Sequence, residues 1–355
     1  MSKEYTAVVA EVEEAISLAL PEDVNASWLR QIAGALETTP SADSIGALVQ
    51  PARDLLRRGG KRWRPAVCLI SCDLAAQSSR GRDDAASVRS RALPLAVMVE
   101  LAHNGSLIVD DIEDGAEWRR GALSVHILYG EDTAINSANF LYFLPTYLID
   151  RSQFSVEEKN VFYRMYMEDM RRLHLGQGMD IRWHRDHGCR PGRDEYLQMC
   201  RLKTGSLARL AARVGLLAGG GDAACSEELG RIFEDAGAAF QILDDVGNLS
   251  AGIPGKHRGD DIVEGKKSLP VILAGERDAT LYDLLARCFE RAREEGPTSP
   301  AVDDAIELLR RSGAIDESQQ IASSMLQNAA QSIRSRYEDS PPRALLLEIL
   351  SGFTS

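Results

Sequence analysis

The sequence contains no apolar run approaching the ~20 residues that a membrane-spanning helix requires, so no membrane span is expected. Its first residues, Met1-Ser2-Lys3-Glu4-Tyr5, lack the basic-then-apolar layout of a signal peptide, and a cytoplasmic location is the expectation. Positive charge is in short supply. Lys and Arg number 41 against 53 Asp and Glu, a net charge of −12 and the wrong sign for coating nucleic acid or an anionic membrane. An anionic substrate would need a local cationic site, or metal ions, to overcome that field. Alternating β-branched runs that would mark a sheet are almost absent, as are repeats of solenoid period and low-complexity linkers. The six cysteines are scattered at 68, 72, 189, 200, 225 and 288, which suits free thiols in a reducing compartment.

What remains is globular and helical. Hydrophobic residues make up 44% and charged residues 26% of 355, which excludes disorder. Apolar residues recur at three- and four-residue spacing through stretches such as 92–113, 133–149, 156–181, 194–218 and 226–250. Breaks rich in Gly, Pro, Asp and Ser separate them, among them Gly59-Gly60, Gly219 to Gly221 and Gly252 to Gly259. This predicts an all-α chain of about a dozen helices in a single domain over 1–355, its motifs lying between about 56 and 275. The polar segment 78–91 reads as an exposed loop or a helix start.

The most informative residues close the helix that begins near Pro94. Its apolar body ends in Asp110-Asp111-Ile112-Glu113-Asp114. Four acids on a last turn oppose the helix macrodipole, so something cationic should compensate. Asp110 and Asp114 are four apart and share a face, whereas Asp111 is turned aside. Two carboxylates with room for water and phosphate suit Mg²⁺. A solvated acidic helix end is the plain alternative. A second cluster shifts the balance: Phe240-Gln241-Ile242-Leu243-Asp244-Asp245-Val246-Gly247-Asn248 again sets two aspartates in an apolar helical run. If the two helices face each other, Asp110, Asp114 and Asp244 converge on several Mg²⁺ ions able to hold a diphosphate.

The densest basic run, Arg57-Arg58-Gly59-Gly60-Lys61-Arg62-Trp63-Arg64-Pro65, could be a nucleic-acid patch or a solvated helix end. Its glycine pair lets backbone N–H groups approach an anion, with Lys61 and Arg64 clamping phosphate from one side. Further cations at Arg119-Arg120, Lys203, Lys256 and Lys266-Lys267 sit beside the acidic motifs. A site for two anionic substrates accounts for them better than an unspecific patch.

Taken in order, these stations resemble the trans-isoprenyl diphosphate synthases of the polyprenyl synthetase family. They run from Gly59 to Pro65, through His103 to Asp114, Arg119-Arg120-Gly121, Gly176-Gln177-Gly178-Met179-Asp180, Lys203-Thr204-Gly205 and Phe240 to Asn248, to Gly255-Lys256 and Glu264 to Lys267. The resemblance implies an isoprenoid synthase-type helical bundle with a central apolar cavity. It implies head-to-tail joining of isopentenyl diphosphate to an allylic diphosphate, on a homodimer. By position, Asp110, Asp114 and Asp244 would ligate Mg²⁺ on the allylic diphosphate, with Asp111 and Asp245 supporting. Arg119, Lys203, Lys256 and Lys266 would hold that same diphosphate. Gly60, Lys61, Arg64, His103 and Arg120 would take the diphosphate of isopentenyl diphosphate, while Thr204 and Gln241 would line the cleft where the allylic cation forms. Asn248 stands where many members carry a third aspartate. It keeps an oxygen donor and removes one charge, and the eukaryotic kind of geranylgeranyl diphosphate synthase often has it.

Product length in such a fold depends on how deep the apolar pocket runs below the first acidic motif. Gly105 and Ser106 lie about one turn before Asp110 and leave the floor open, which disfavours a fifteen-carbon stop. Phe140, Tyr142 and Phe143 on the next helix could supply a deeper floor, suggesting twenty carbons. The alternative is that Gly105 simply permits close helix packing. Farnesyl or C25 diphosphate synthesis, a class I terpene cyclase and a non-catalytic synthase subunit are the competing readings. A cyclase would want an Asn-Ser-Glu motif, but Asn328 and Ser332 are followed by Arg336. His184, His187 and Cys189 lack a fourth zinc ligand, and Cys68 and Cys72 read as core.

Overall fold

A computed structural model describes residues 1–78, 85–186, 188–250 and 258–354. They form two compact units. The first comprises Met1–Met167, Leu210–Gly230 and Asp339–Ile349; the second comprises Glu168–Arg209, Arg231–Glu338 and Leu350–Ser355. Because the units interleave along the chain, no single stretch could read as a linker.

The chain opens with α1 (Lys3–Ala19), α2 (Ala26–Ala33), α3 (Ala42–Arg57), α4 (Trp63–Ser78) and α5 (Ala85–Glu113). A hairpin of β1 (Trp118–Arg119) and β2 (Ala122–Leu123) leads into α6 (Val125–Tyr129), α7 (Glu131–Arg151) and α8 (Val156–Arg185). Then come α9 (Arg193–Cys200), a π-helical turn over Arg201–Gly205, α10 (Ser206–Ala218) and α11 (Ala223–Ser250). The rest is α12 (Asp260–Glu264), α13 (Leu269–Arg277), α14 (Ala279–Glu295), α15 (Pro300–Arg311), α16 (Ala314–Arg336) and α17 (Pro341–Ser351). The all-α reading holds, apart from one hairpin that is too short to show alternation. Helices α2, α6 and α12 were not anticipated, being only five to eight residues long.

In the first unit α5 packs on α4 and α7. Its Leu95, Met98, Leu101 and Ile108 are fully buried. The expectation about apolar runs needs one correction here. Ala86–Glu113 is long and apolar enough by composition to cross a membrane, yet 67% of its most apolar window is buried within the protein, the mark of a core helix. Cys68 and Cys72 of α4 are buried too, with Gly215 and Gly219 of α10 set against their carbonyls, so their helix face is core. None of the six cysteines is in a disulfide.

Local chemistry sets the ends of these helices. Ser2 caps α1 by accepting from the Tyr5 N–H, and Asn25 caps α2 by accepting from Ser27 and Trp28 N–H groups. The hairpin pairs Trp118 with Leu123 and Arg119 with Ala122. Its two turn residues, Arg120 and Gly121, both have positive φ (54° and 76°), as a twist-matched two-residue turn demands. Arginine is costly there, and what fixes it is found at the site.

Candidate active site

In the first unit the basic run forms a bend between α3 and α4. Gly59, Gly60 and Arg62 take positive φ of 78°, 150° and 46°. Arg58 is engaged within the protein. Its Nη2 pairs with Asp54 Oδ2 at 2.6 Å, and its Nη1 donates to the carbonyls of Arg119 (3.0 Å) and Leu123 (2.9 Å), which ties the hairpin to the end of α3. Arg120 then donates to the carbonyl of Leu55 at 3.1 Å and to Asn104 Oδ1 at 3.0 Å. A side chain at Gly60 would start 3.1 Å from Arg120 Nη2, so the glycine leaves space for that guanidinium. Arg64 stacks on Trp63 at 4.3 Å and reaches His103 Nε2 at 3.3 Å, and Lys61 is exposed beside them.

The electrostatics of this cluster favour an anion. Burial, and then Arg64, Arg120, Arg62 and Arg119 in turn, hold the His103 imidazole far below its ordinary value and therefore neutral. Burial also pulls the Arg120 guanidinium down to about 10, with Arg62 and Arg119 adding to the effect against Glu100 and Asp111. Four guanidiniums, those of Arg64, Arg120, Arg62 and Arg119, thus act on one neutral imidazole.

On the other side of Arg119 the sign reverses. Arg119 Nε donates to Asp111 Oδ1 at 2.6 Å, and Nη2 lies 3.5 Å from Asp110 Oδ2. Burial disfavours the Arg119 charge, but Asp111, Asp110 and Asp114 outweigh it and keep the guanidinium firmly protonated. Asp111 is fully buried, so it steers Arg119. Asp110 and Asp114 are half-buried, and the Asp114 N–H still donates to the Asp110 carbonyl, so the helical turn that puts both on one face is intact. Among the described residues no three His, Cys, Asp or Glu side chains converge on a metal position. A pair of hard carboxylate oxygens fits Mg²⁺, which takes one or two carboxylates together with substrate phosphate and water.

The second unit carries another cluster, built where three elements come unusually close. A Cβ on Gly176 of α8 would collide with the backbone at Leu202 and Lys203. One on Gly205 would lie 2.6 Å from the Glu234 carbonyl of α11, and one on Gly237 lies 2.8 Å from Gly205 Cα. The π-helical turn at 201–205 sits in this crowded place and aims its two polar residues. Lys203 Nζ meets Asp180 Oδ2 at 2.6 Å, and Thr204 Oγ1 donates to Gln241 Oε1 at 2.7 Å. Gln241 Nε2 donates to Asp245 Oδ1 at 2.9 Å, and Tyr196 Oη donates to Asp245 Oδ2 at 2.6 Å. Burial, then Asp261, raise the Asp245 carboxyl to about 7, with Asp244 adding to the shift and the two donors opposing it. Asp244, its half-buried neighbour, is the more available of the two. Lys266 pairs with Glu264 at 2.6 Å and Asp261 at 3.6 Å. Asn248 is buried, and its Oδ1 accepts from the Asp261 N–H at 3.4 Å, a bond that ties α11 to the start of α12. Lys256 lies outside the described residues.

The residues suggested for the product floor point in different directions. Gly105 is buried against α7: a Cβ there would lie 3.0 Å from the Ala138 carbonyl and 3.2 Å from Tyr142 Cε1. Ser106 is half-buried and donates to the His103 carbonyl at 2.8 Å. Phe140 packs edge-on against Trp28 of α2 at 6.4 Å. Tyr142 turns a ring edge to Gly105, its hydroxyl raised by burial and then by Glu113 and Asp110, and Phe143 is 71% exposed. At 100° per residue, positions 140, 142 and 143 cannot share one floor. Sequence reasoning missed Glu100, Asn104, Asp180 and Tyr196, each of which holds a motif residue. Asn104 and Asp180 stand inside the quoted motifs, whereas Tyr196 carries no local signal.

The Polyprenyl synthetase family model matches residues 46–306. The chain belongs to that family. It is a prenyltransferase with the all-α isoprenoid synthase fold. It is 32% identical to a geranylgeranyl pyrophosphate synthase of Eremothecium gossypii over 67% of this chain and 73% of that one. It is also 32% identical to a geranylgeranyl diphosphate synthase of Methanosarcina mazei over 85% and 87%. With other geranylgeranyl pyrophosphate synthases the alignment spans 63% and 50% of the relative's length. The crystal structure of geranylgeranyl pyrophosphate synthetase from Pyrococcus horikoshii superposes with a TM-score of 0.81 at 28% identity, covering 99% of each chain.

Proposed function

We propose that this member condenses isopentenyl diphosphate with an allylic diphosphate and releases the linear C20 product, geranylgeranyl diphosphate. The observation that carries the reading is the change of sign across Arg119: a basic cluster (Gly60, Lys61, Arg64, His103, Arg120) on one side and the Asp110–Asp114 pair on the other. A site for one bare anion would have no use for the acids, and a metal site alone would have no use for the arginines gathered about His103.

Asp110, Asp114 and, in the second unit, Asp244 are proposed as Mg²⁺ ligands, and the metal would supply charge neutralisation for a departing diphosphate. Arg119, Lys203, Lys256 and Lys266 bind the allylic diphosphate. Gly60, Lys61, Arg64, His103 and Arg120 bind the other substrate. The allylic C–O bond breaks and its electron pair leaves with diphosphate. The isopentenyl double bond then attacks the allylic carbon, and a proton lost from the adjacent carbon goes to diphosphate. Thr204 and Gln241, already bonded to each other, offer a fixed dipole to the passing cation and no basic nitrogen that it could alkylate. Support for twenty carbons comes from the relatives' names and from Ser106, small and half-buried one turn before Asp110. Homodimerisation is proposed as well, on the exposed Ile135 and Phe143, two turns apart on α7, with Leu128 of α6 also exposed. A solution mass near twice 38.9 kDa checks it.

Incubating the protein with Mg²⁺, isopentenyl diphosphate and farnesyl diphosphate tests the activity. The expected product is a linear twenty-carbon diphosphate. A cyclic hydrocarbon would make the chain a cyclase, and absence of turnover would make it a non-catalytic subunit.

A further inference from the structure

Helix α1 lies outside residues 46–306, yet it reaches directly into the basic bend. Tyr5 Oη donates to the Lys61 carbonyl at 2.9 Å. Glu13 Oε1 accepts from Arg62 Nε at 2.6 Å. Arg62 is the most deeply set cation of its run, its side chain fully buried. It also donates to Glu100 Oε1 at 2.7 Å and to the Leu56 carbonyl at 2.6 Å. Glu100 in turn accepts from Asn104 at 2.8 Å, and Asn104 accepts from Arg120. One connected network thus runs from α1 to two cations of the bend and the hairpin.

The network has something to hold. Arg62 keeps a left-handed backbone (φ 46°) that an L side chain adopts at a cost, and such a conformation persists only where its surroundings over-determine it. Tyr5 and Glu13 bond the two consecutive residues, 61 and 62, at which the chain changes hand. Burial, then Glu348 and Glu100, raise the Tyr5 hydroxyl to about 12, so at neutral pH it remains a donor. The helix is itself anchored: Val12 and Ile16 are core residues, and Ser2 Oγ donates to Glu348 Oε2 of α17 at 2.7 Å.

We propose that α1 is a positioning element for the isopentenyl diphosphate site: Tyr5 and Glu13 fix the backbone at Lys61 and Arg62 in the shape that presents Gly60, Lys61 and Arg64 to that substrate. The inference rests on the reading above that this bend binds isopentenyl diphosphate. Neither residue touches substrate; both act through the bend.

Steady-state kinetics of the full chain carrying Tyr5→Phe, Glu13→Ala or Lys61→Ala, each substrate varied in turn and each variant melted, provide the test. Loss of the part-buried hydrogen bonding to the bend predicts that Tyr5→Phe and Glu13→Ala raise KM for isopentenyl diphosphate by about three- to tenfold. KM for the allylic substrate and kcat stay within about twofold in both variants. An unchanged isopentenyl KM in both, with a raised one in Lys61→Ala, overturns the inference and leaves the site assignment standing. An unchanged KM in Lys61→Ala overturns the assignment itself. Parallel rises in both KM values that follow a loss of thermal stability would make α1 a merely structural helix and also overturn the inference.

Discussion

Neighbouring aspartates in each motif do different work. Asp111 and Asp245 are both buried, but Asp111 is paired with the Arg119 guanidinium, whereas Asp245 accepts from a phenol and an amide, with Asp244 and Asp261 close by. Its carboxyl therefore titrates near 7. The consequence for stability has a definite sign. Between the ordinary carboxyl value near 4 and about 7 the native state holds a proton that the unfolded chain has lost, so stability of the metal-free protein falls as pH rises through that interval and levels off above it. Asp245→Asn removes this slope. Thermal melts without metal should show the variant more stable than its parent by a few degrees at pH 8 and equal to it at pH 4; melting curves that stay parallel across the range would contradict it. Asp111 is set off the face of Asp110 and Asp114 by helical angle alone, which is legible in the sequence. The depth of Asp245 is not, because it depends on Tyr196, 49 residues away in the chain.

At the scale of elements, periodicity is enough to find the long helices, since apolar residues at three- and four-residue spacing have few other uses. It does not reveal the π-helical turn at 201–205, which sits where Gly176, Gly205 and Gly237 let the backbones approach. Nor does it reveal the Arg119–Arg120 hairpin, which is held by Arg58 from a different helix. Sequence leaves two readings of Gly105, an open pocket floor or close helix packing, and the structure shows helix-on-helix contact there. A methyl group there meets Ala138 and Leu141 at 3.0 Å, so Gly105→Ala should cost about 1–3 kcal/mol by overpacking. Ser106→Phe is the sounder probe of product length, because its position is half-buried. Product chromatography should show farnesyl diphosphate replacing the twenty-carbon product in Ser106→Phe, with stability little changed. A product of unaltered length would remove Ser106 from the gate.

For the molecule as a whole, a net charge of −12 means that anionic substrates are admitted only by local arrangements, and both units supply one. The first offers Arg120, Arg64, Lys61 and the neutral His103; the second offers Lys203 and Lys266, each already paired with a carboxylate. The central claim is a division of labour between two diphosphates. Kinetics of Arg120→Gln and Lys203→Ala, each substrate varied in turn, test it most directly. Loss of one charge-assisted bond predicts that Arg120→Gln raises KM for isopentenyl diphosphate by roughly 10- to 100-fold with the allylic KM within about twofold, and that Lys203→Ala does the reverse. If either variant raises both KM values together, or the two patterns are exchanged, the division of labour is wrong.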